Sequence, residues 1–298
     1  MTVPKQKIAL GLQYDGAHFF GWQTQPDQST VQDCVQKAIW DFIGDPLAPI
    51  IRITTAGRTD TGVHALGQVV HFETSTTRPM WSWVRGINNF LPRGVVVTWA
   101  KDVGADFDAR FSAFERAYAY CLLCSPVRVP LLDQKVGYLM MPPGALLRID
   151  AMQEAATYLI GEHDFTCFRS AQCQSKTPMK TIYQIEIVNH FPKIYFFIRA
   201  NAFLHHMVRN VIGTLLHIGQ KKADPIWVQS LLEGRSRALA PPTFSADGLY
   251  LARVAYPDSF QIPEPFLEHG VIPCSLLKSF LSMSGSFSSS RVVNNGFI

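Results

Sequence analysis

One arginine and one aspartate stand in a glycine-bracketed turn within TTAGRTDTGVHALGQVVHFET, residues 54 to 74. Arg58 and Asp60 lie between Gly57 and Gly62. Glycine accepts backbone angles that a Cβ resists, so such a turn can be tight and can present the pair at a fixed place. An ordinary aspartate has a pKa of about 3.9 and is already an anion at neutral pH, so it can act as a nucleophile without a base to activate it. The plainer reading of Asp60 is a turn residue whose carboxylate bonds nearby backbone N–H groups.

Other reactive side chains are less pointed. Cys121 and Cys124 form a C-x-x-C in RAYAYCLLCSP, which reads as a strand. Residues three apart on a strand face opposite ways and cannot readily share a zinc ion. In the same strand Tyr118 and Tyr120 share one face, so either can be plain packing. His205 and His206 adjoin on a helical stretch and point about 100° apart, as packing or partner-contact residues rather than a metal pair. Arg209, by position alone, reads as an arginine on a helix surface.

The elements that must position these groups follow from periodicity. KIALGLQYDG alternates Ile8, Leu10 and Leu12 and predicts a strand that turns at Asp15 and Gly16. STVQDCVQKAIWDFIGDP repeats apolar residues from Val31 to Ile43 as one helical stripe, with Ser29 and Gln32 at capping-box spacing and Gly44 to Pro46 as the stop. A strand near 49 to 54, the Arg58–Asp60 turn, a strand at 67 to 73, a helix at 80 to 91 and a strand at 95 to 101 complete a β-α-β-β-α-β order, the ferredoxin-like split βαβ.

The second half repeats that order. RAYAYCLLC is a strand, 149 to 160 a helix, TIYQIEIVNH and KIYFFIRANAF an antiparallel pair, LHHMVRNVIGTLLHIG a helix and GLYLARVAYP a closing strand, with a short helix at 225 to 233 between the last two. The expected architecture is α+β: two ferredoxin-like domains, residues 1–105 and 106–258, flanking a central cleft. Residues 259–298 carry prolines and then a Ser-rich stretch without sustained periodicity, and read as a partly disordered tail.

Composition narrows the setting. With 298 residues, 47% hydrophobic and 17% charged, the chain has a globular composition, and it holds no apolar run near the ~20 residues of a membrane helix. The start, MTVPKQKIALGLQYDG, has no apolar signal region, so a cytoplasmic location is expected. Six irregularly spaced cysteines fit reduced thiols. Residues 165 to 222 hold eight Lys or Arg against Glu186 alone, a local balance of +7 in a chain of net charge +4. A basic segment in an otherwise slightly acidic chain is the footprint of a polyanionic partner.

AGRTDTGVHALGQVVHFET, DFDARFSAFERAYAY, GEHDFTCFRSAQCQSKTP and NAFLHHMVRNVIGTLLHIG stand in the order and spacing of one family. Over roughly residues 6 to 258 the chain resembles the tRNA pseudouridine synthases of the TruA type, in their bacterial form. The resemblance implies that Asp60 is the nucleophile, Arg209 its salt-bridge partner and Arg58 the residue that helps flip the target nucleotide. It implies that Tyr118 stacks on the target uracil, and that Arg78, Arg110, Phe168, Arg169 and Gln172 contact substrate. Basic residues often flank this tyrosine in the family, whereas here Ala117 and Ala119 do.

The implied reaction breaks the N1–C1′ bond of uridine, turns the uracil and forms C5–C1′, with no cofactor and no metal. Asp60 adds to C6 or assists at C1′, and both routes stay open. The implied substrate is the tRNA anticodon arm at positions 38, 39 and 40, held by a homodimer. Two other classes compete: a binding-only protein that grips RNA by stacking and charge, and a glycoside-cleaving hydrolase, which would need two carboxylates where this turn offers one.

Overall fold

A computed structural model describes residues 5–26, 29–45, 51–268 and 270–282. The first half runs β1 (Gln6–Tyr14), α1 (Val31–Ile43), β2 (Thr54–Thr55), β3 (His64–Thr74), α2 (Met80–Phe90) and β4 (Val95–Val103). The second runs β5 (Glu115–Ser125), β6 (Gly137–Met140), α3 (Ile149–Thr157), β7 (Gly161–Asp164), β8 (Met179–His190), β9 (Lys193–Ala200), α4 (Met207–Gly219), α5 (Trp227–Gly234) and β10 (Leu249–Ala255). A last helix, α6, spans Cys274–Ser282. Among the described residues no helix is long and apolar enough to cross a membrane.

The strands form one ten-stranded sheet in the order β4-β1-β3-β10-β5-β9-β8-β7, with β2 on β3 and β6 on β5. The first half stands as β4-β1-β3-β2, and β10-β5-β9-β8 repeats that order in the second half, where β6 and β7 are additional strands paired to β5 and β8. The sequence predicts two units facing each other, but the halves meet edge to edge through β10. That strand runs parallel to β3, with Tyr250 opposite His64, and antiparallel to β5, with Leu251 opposite Tyr118. Gly248, at φ +95, permits the junction, since a Cβ there would stand 2.5 Å from the Cys121 carbonyl oxygen.

Local expectations need small corrections. Thr30, not Ser29, caps α1: its hydroxyl accepts from Asp33 N at 3.3 Å, so the box is Thr30–Asp33, one residue further on. The strand expected near 49 to 54 reaches the described residues only as Thr54–Thr55, and positions 49 and 50 lie outside them.

Three apolar clusters hold the sheet. One packs α1 and α2 on β1, β3 and β4, and another packs α3, α4 and α5 on β5, β8 and β9. Tyr118 borders both, which puts it at the seam between the halves. The third cluster lies on the opposite face, where Ala117, Ala119, Cys121 and Leu123 of β5 meet Leu277, Phe280 and Leu281 of α6. Each fully buried Leu or Phe there contributes about 1.5–3 kcal/mol of burial free energy. The stretch expected to be a tail therefore contributes a helix to the core as far as Ser282, and positions 283–298 lie outside the described residues. Cys121 belongs to the back cluster and Cys124 to the front one, as strand alternation requires.

Candidate active site

The turn between β2 and β3 is fixed from several sides. Gly57 O accepts from Gln68 Nε2 at 2.7 Å, Thr59 O from Trp22 N at 3.0 Å and Asp60 O from Val63 N at 3.1 Å, while the Thr59 hydroxyl pairs with that of Tyr14 at 2.8 Å. Of the two bracketing glycines only Gly62 needs its freedom, with φ +83. Gly57 has an ordinary φ and open space around it. Cross-strand bonds therefore hold the turn where the sequence suggests glycine geometry alone.

Asp60 faces the first turn of α4. Arg209 Nη1 donates to its Oδ2 at 2.8 Å, His206 Nε2 lies 3.4 Å from the same oxygen, and His205 Nε2 lies 3.2 Å from Oδ1. The helix starts at Met207, so a carboxylate meets the end of α4 where the helix dipole favours negative charge. Arg209 is held in turn by its Nε bond to Phe244 O at 2.9 Å. Asn210, one residue on, donates to Phe168 O at 2.7 Å and accepts from the Thr243 hydroxyl at 2.7 Å, which locks α4 against two loops.

The side chain of Asp60 is 19% exposed. Burial works to raise its pKa, but the His205 and Arg209 hydrogen bonds and the His206 and Arg209 charges outweigh it, and the carboxyl sits below its usual range. Asp60 is thus a desolvated carboxylate kept ionised. For His206, burial is the largest influence and lowers the pKa against the pull of Asp60.

Arg58 is exposed at the mouth of the turn, where its Nη1 donates to Gln174 Oε1 at 2.8 Å. Gln174 belongs to the loop before β8, and Arg169 braces that loop by donating from Nη2 to the carbonyls of Cys173 and Ser175, both at 2.8 Å. The same loop reaches the histidines, because His205 N donates to Cys173 Sγ at 3.4 Å and Ser170 N donates to His205 O at 3.0 Å.

Tyr118 and Tyr120 separate cleanly. Tyr120 is fully buried and donates its hydroxyl to Ser245 O at 3.1 Å, so it is a core residue. Tyr118 is half-buried, with its ring edge-on to Phe203 at 5.1 Å, and burial, with the nearby Tyr14 and Asp60, pushes its hydroxyl pKa well up. Arg116, two residues earlier, donates to the carbonyls of Arg110, Ala113, Asn201 and Ala56, and so ties β5 to the Arg58–Asp60 turn.

The remaining predicted contacts divide. Phe168 is wholly buried in the α3–α4 core beside Phe165, which corrects its expected substrate contact: it supports the loop from beneath. Arg169 spends its Nη2 on its own loop. Gln172 is exposed on that loop, and Arg110 is exposed with its guanidinium 5.3 Å from the Phe111 ring. Arg78 lies over Phe42 near the end of α1, 4.9 Å from the ring centre, and packs there rather than at the Asp60 turn.

Asp60, His205 and His206 offer one ligand atom each within 4.8 Å of one another, a spacing a divalent cation would accept. Arg209 already places a permanent positive charge on Oδ2, which a bound cation would have to oppose. The arrangement suits an ionised nucleophile better than a metal centre.

The sequence model of a family described as tRNA pseudouridine synthase matches residues 12–112 and 155–257. A protein named tRNA pseudouridine synthase A from Polynucleobacter asymbioticus is 54% identical over 272 residues, covering 91% of this chain and 99% of its own. Another of that name from Paraburkholderia phymatum is 53% identical over 269 residues, covering 90% and 97%. The chain belongs to the tRNA pseudouridine synthase family. Sequence reasoning gives Gln174 and Arg116 no site role, and reads His205 and His206 as packing or RNA-contact residues rather than as partners of Asp60. The helical stretch expected to include both histidines begins only at Met207, and His205 and His206 sit in the turn before it, His206 at φ 65, which aims both rings at Asp60.

Proposed function

We propose that this chain isomerises uridine to pseudouridine at positions 38, 39 and 40 of the tRNA anticodon arm, with Asp60 as nucleophile. The observation that carries the reading is the half-buried Asp60 carboxylate, held ionised by His205 and by Arg209 at 2.8 Å, while exposed Arg58 projects from the same turn. A uridine inside a stem is unreachable until it is flipped out, which costs a few kcal/mol. Arg58, planar and permanently charged, opens the stack and fills the space left behind. Tyr118, half-open at the seam, supports the extruded uracil, and Arg209 keeps Asp60 charged.

The two halves of the sheet are read as ferredoxin-like units and the protein as a cytoplasmic homodimer; of the basic segment from 165 to 222, Lys180 and Arg199 are buried, and exposed Lys176, Lys221 and Lys222 are read as holding the RNA backbone. Arg110 and Gln172, both exposed, are proposed RNA contacts, and Arg169 shapes the loop that carries Gln172. Incubating the purified protein with an unmodified tRNA transcript and mapping pseudouridine by carbodiimide labelling tests this directly. Label at positions 38 to 40 is the expected result. Tight binding without label favours the RNA-binding reading, and a free uracil product favours hydrolysis.

A further inference from the structure

The isomerisation moves a proton as well as a bond. N1 leaves C1′ and ends with a hydrogen, whereas C5 joins C1′ and loses one. No proton is gained or lost overall, so one group that gives a proton and takes it back suffices. The half-turn of the uracil that brings C5 to C1′ also carries C5 to the place N1 has left. Both transfers therefore occur at nearly one point in the site.

Few groups around Asp60 can carry that proton. The guanidinium groups of Arg58 and Arg209 stay protonated throughout. Tyr118 holds its proton, since burial and then its neighbours push its hydroxyl pKa up. Asp60 is itself the nucleophile and, with its carboxyl held low, is a weak base. The two imidazoles remain. His206 precedes α4 in a left-handed conformation, φ 65, and its Nε2 shares Oδ2 of Asp60 with Arg209. His205 instead faces Oδ1, the oxygen that neither of the others takes, and its side chain is 34% exposed. Its backbone is pinned by the bonds to Cys173 Sγ and Ser170 N, so its place is fixed while one side of the ring stays open.

We infer that His205 is the proton carrier of the reaction. As imidazolium paired with Asp60 Oδ1, it gives the Nε2 proton to N1 while the N1–C1′ bond breaks. The neutral ring then takes the hydrogen of C5, through the same nitrogen, once C5–C1′ has formed, and the imidazolium is restored. The N1–C1′ electron pair stays on N1 to receive the first proton, the C–H pair restores the C5–C6 double bond, and the bond that Asp60 made at C6 or C1′ breaks with its pair returning to the carboxylate, so atoms and charge balance. The step is the same whether Asp60 adds at C6 or acts at C1′. This inference rests on the synthase reading above and adds a catalytic residue to it.

The test compares wild type with His205→Gln and His205→Asn in single turnovers, on tRNA carrying hydrogen or deuterium at uridine C5. Positioned proton transfer contributes on the order of 10²–10⁴-fold, so both variants should slow by that factor. Both should show a C5-deuterium isotope effect larger than that of the wild type, and added imidazole should restore part of the rate. Two variants that turn over at the wild-type rate overturn the inference. So does a slow variant with an unchanged isotope effect and no imidazole rescue, because the ring then only packs. A wild-type protein that converts no uridine overturns the synthase reading instead, so the two failures are distinguishable.

Discussion

Arg209 Nη1 and Asp60 Oδ2 meet at 2.8 Å although 149 residues separate them in sequence. The pair joins the turn of the first half to the helix of the second, and the guanidinium fixes its own direction by a second bond to Phe244 O. Lysine can supply the charge but not both bonds in one plane. Arg209→Ala should lower single-turnover rates by about 10²–10³-fold, the usual loss for one donor aimed at reacting charge, and Arg209→Lys should fall between. Loss of the guanidinium also removes one of the influences that hold the Asp60 pKa down. The acid limb of the pH–rate profile should then move to higher pH, and a limb that stays in place would mean the pair is structural only.

Arg58 should matter in proportion to how firmly its target is stacked. Arg58→Ala is expected to slow a uridine paired in an intact stem more than the same uridine in an unpaired substrate, where extrusion is already cheap. Arg58→Lys should rescue binding better than turnover. Gln174→Ala removes the exposed partner of Arg58, so it should leave stability within about 0.5 kcal/mol and cost less activity than loss of Arg58 itself. Equal rate penalties on paired and unpaired targets would instead make Arg58 a phosphate contact.

The ring of Tyr118 is expected to matter more than its hydroxyl. Tyr118→Phe should keep most of the stacking, whereas Tyr118→Leu should lose about 1–3 kcal/mol of it. Binding and turnover measured on both variants separate ring from hydroxyl, and equal defects would shift the role to the hydroxyl.

Asp15 offers a pH-dependent stability test away from the reaction. It pairs with Lys135, and its Oδ1 lies 3.1 Å from Nδ1 of buried His64. Burial works to raise its pKa, but these partners and the Ala17 N–H prevail and hold it far below the usual range. A depressed folded pKa means that the stabilisation is complete above the unfolded value of about 3.9 and is lost as pH falls toward the folded value. Thermal unfolding of Asp15→Asn should therefore depend less on pH between about 5 and 3 than that of the wild type. Parallel profiles would contradict the assignment.

The Asp60 turn and most of the elements around it are legible in the sequence. The Arg58–Asp60 turn and the helices of each half announce themselves by spacing, because local periodicity and turn chemistry are written over a few adjacent residues. What was hidden depends on distant partners. No periodicity tells that β10 runs between β3 and β5, because that choice is made by pairing across most of the chain. The short apolar run in α6 looks unpatterned until the back face of β5 is there to receive Phe280 and Leu277. The family resemblance implies Phe168 as a substrate contact, yet its side chain turns into the core. Arg116 gives no local hint that it serves four carbonyl groups.

Asp60→Asn tests the proposed nucleophile most directly, because the change keeps shape while removing the anion. Pseudouridine formed in a single turnover on an unmodified tRNA transcript should fall to background, while tRNA affinity by filter binding stays within a few fold. Turnover near the wild-type rate in this variant would contradict the account.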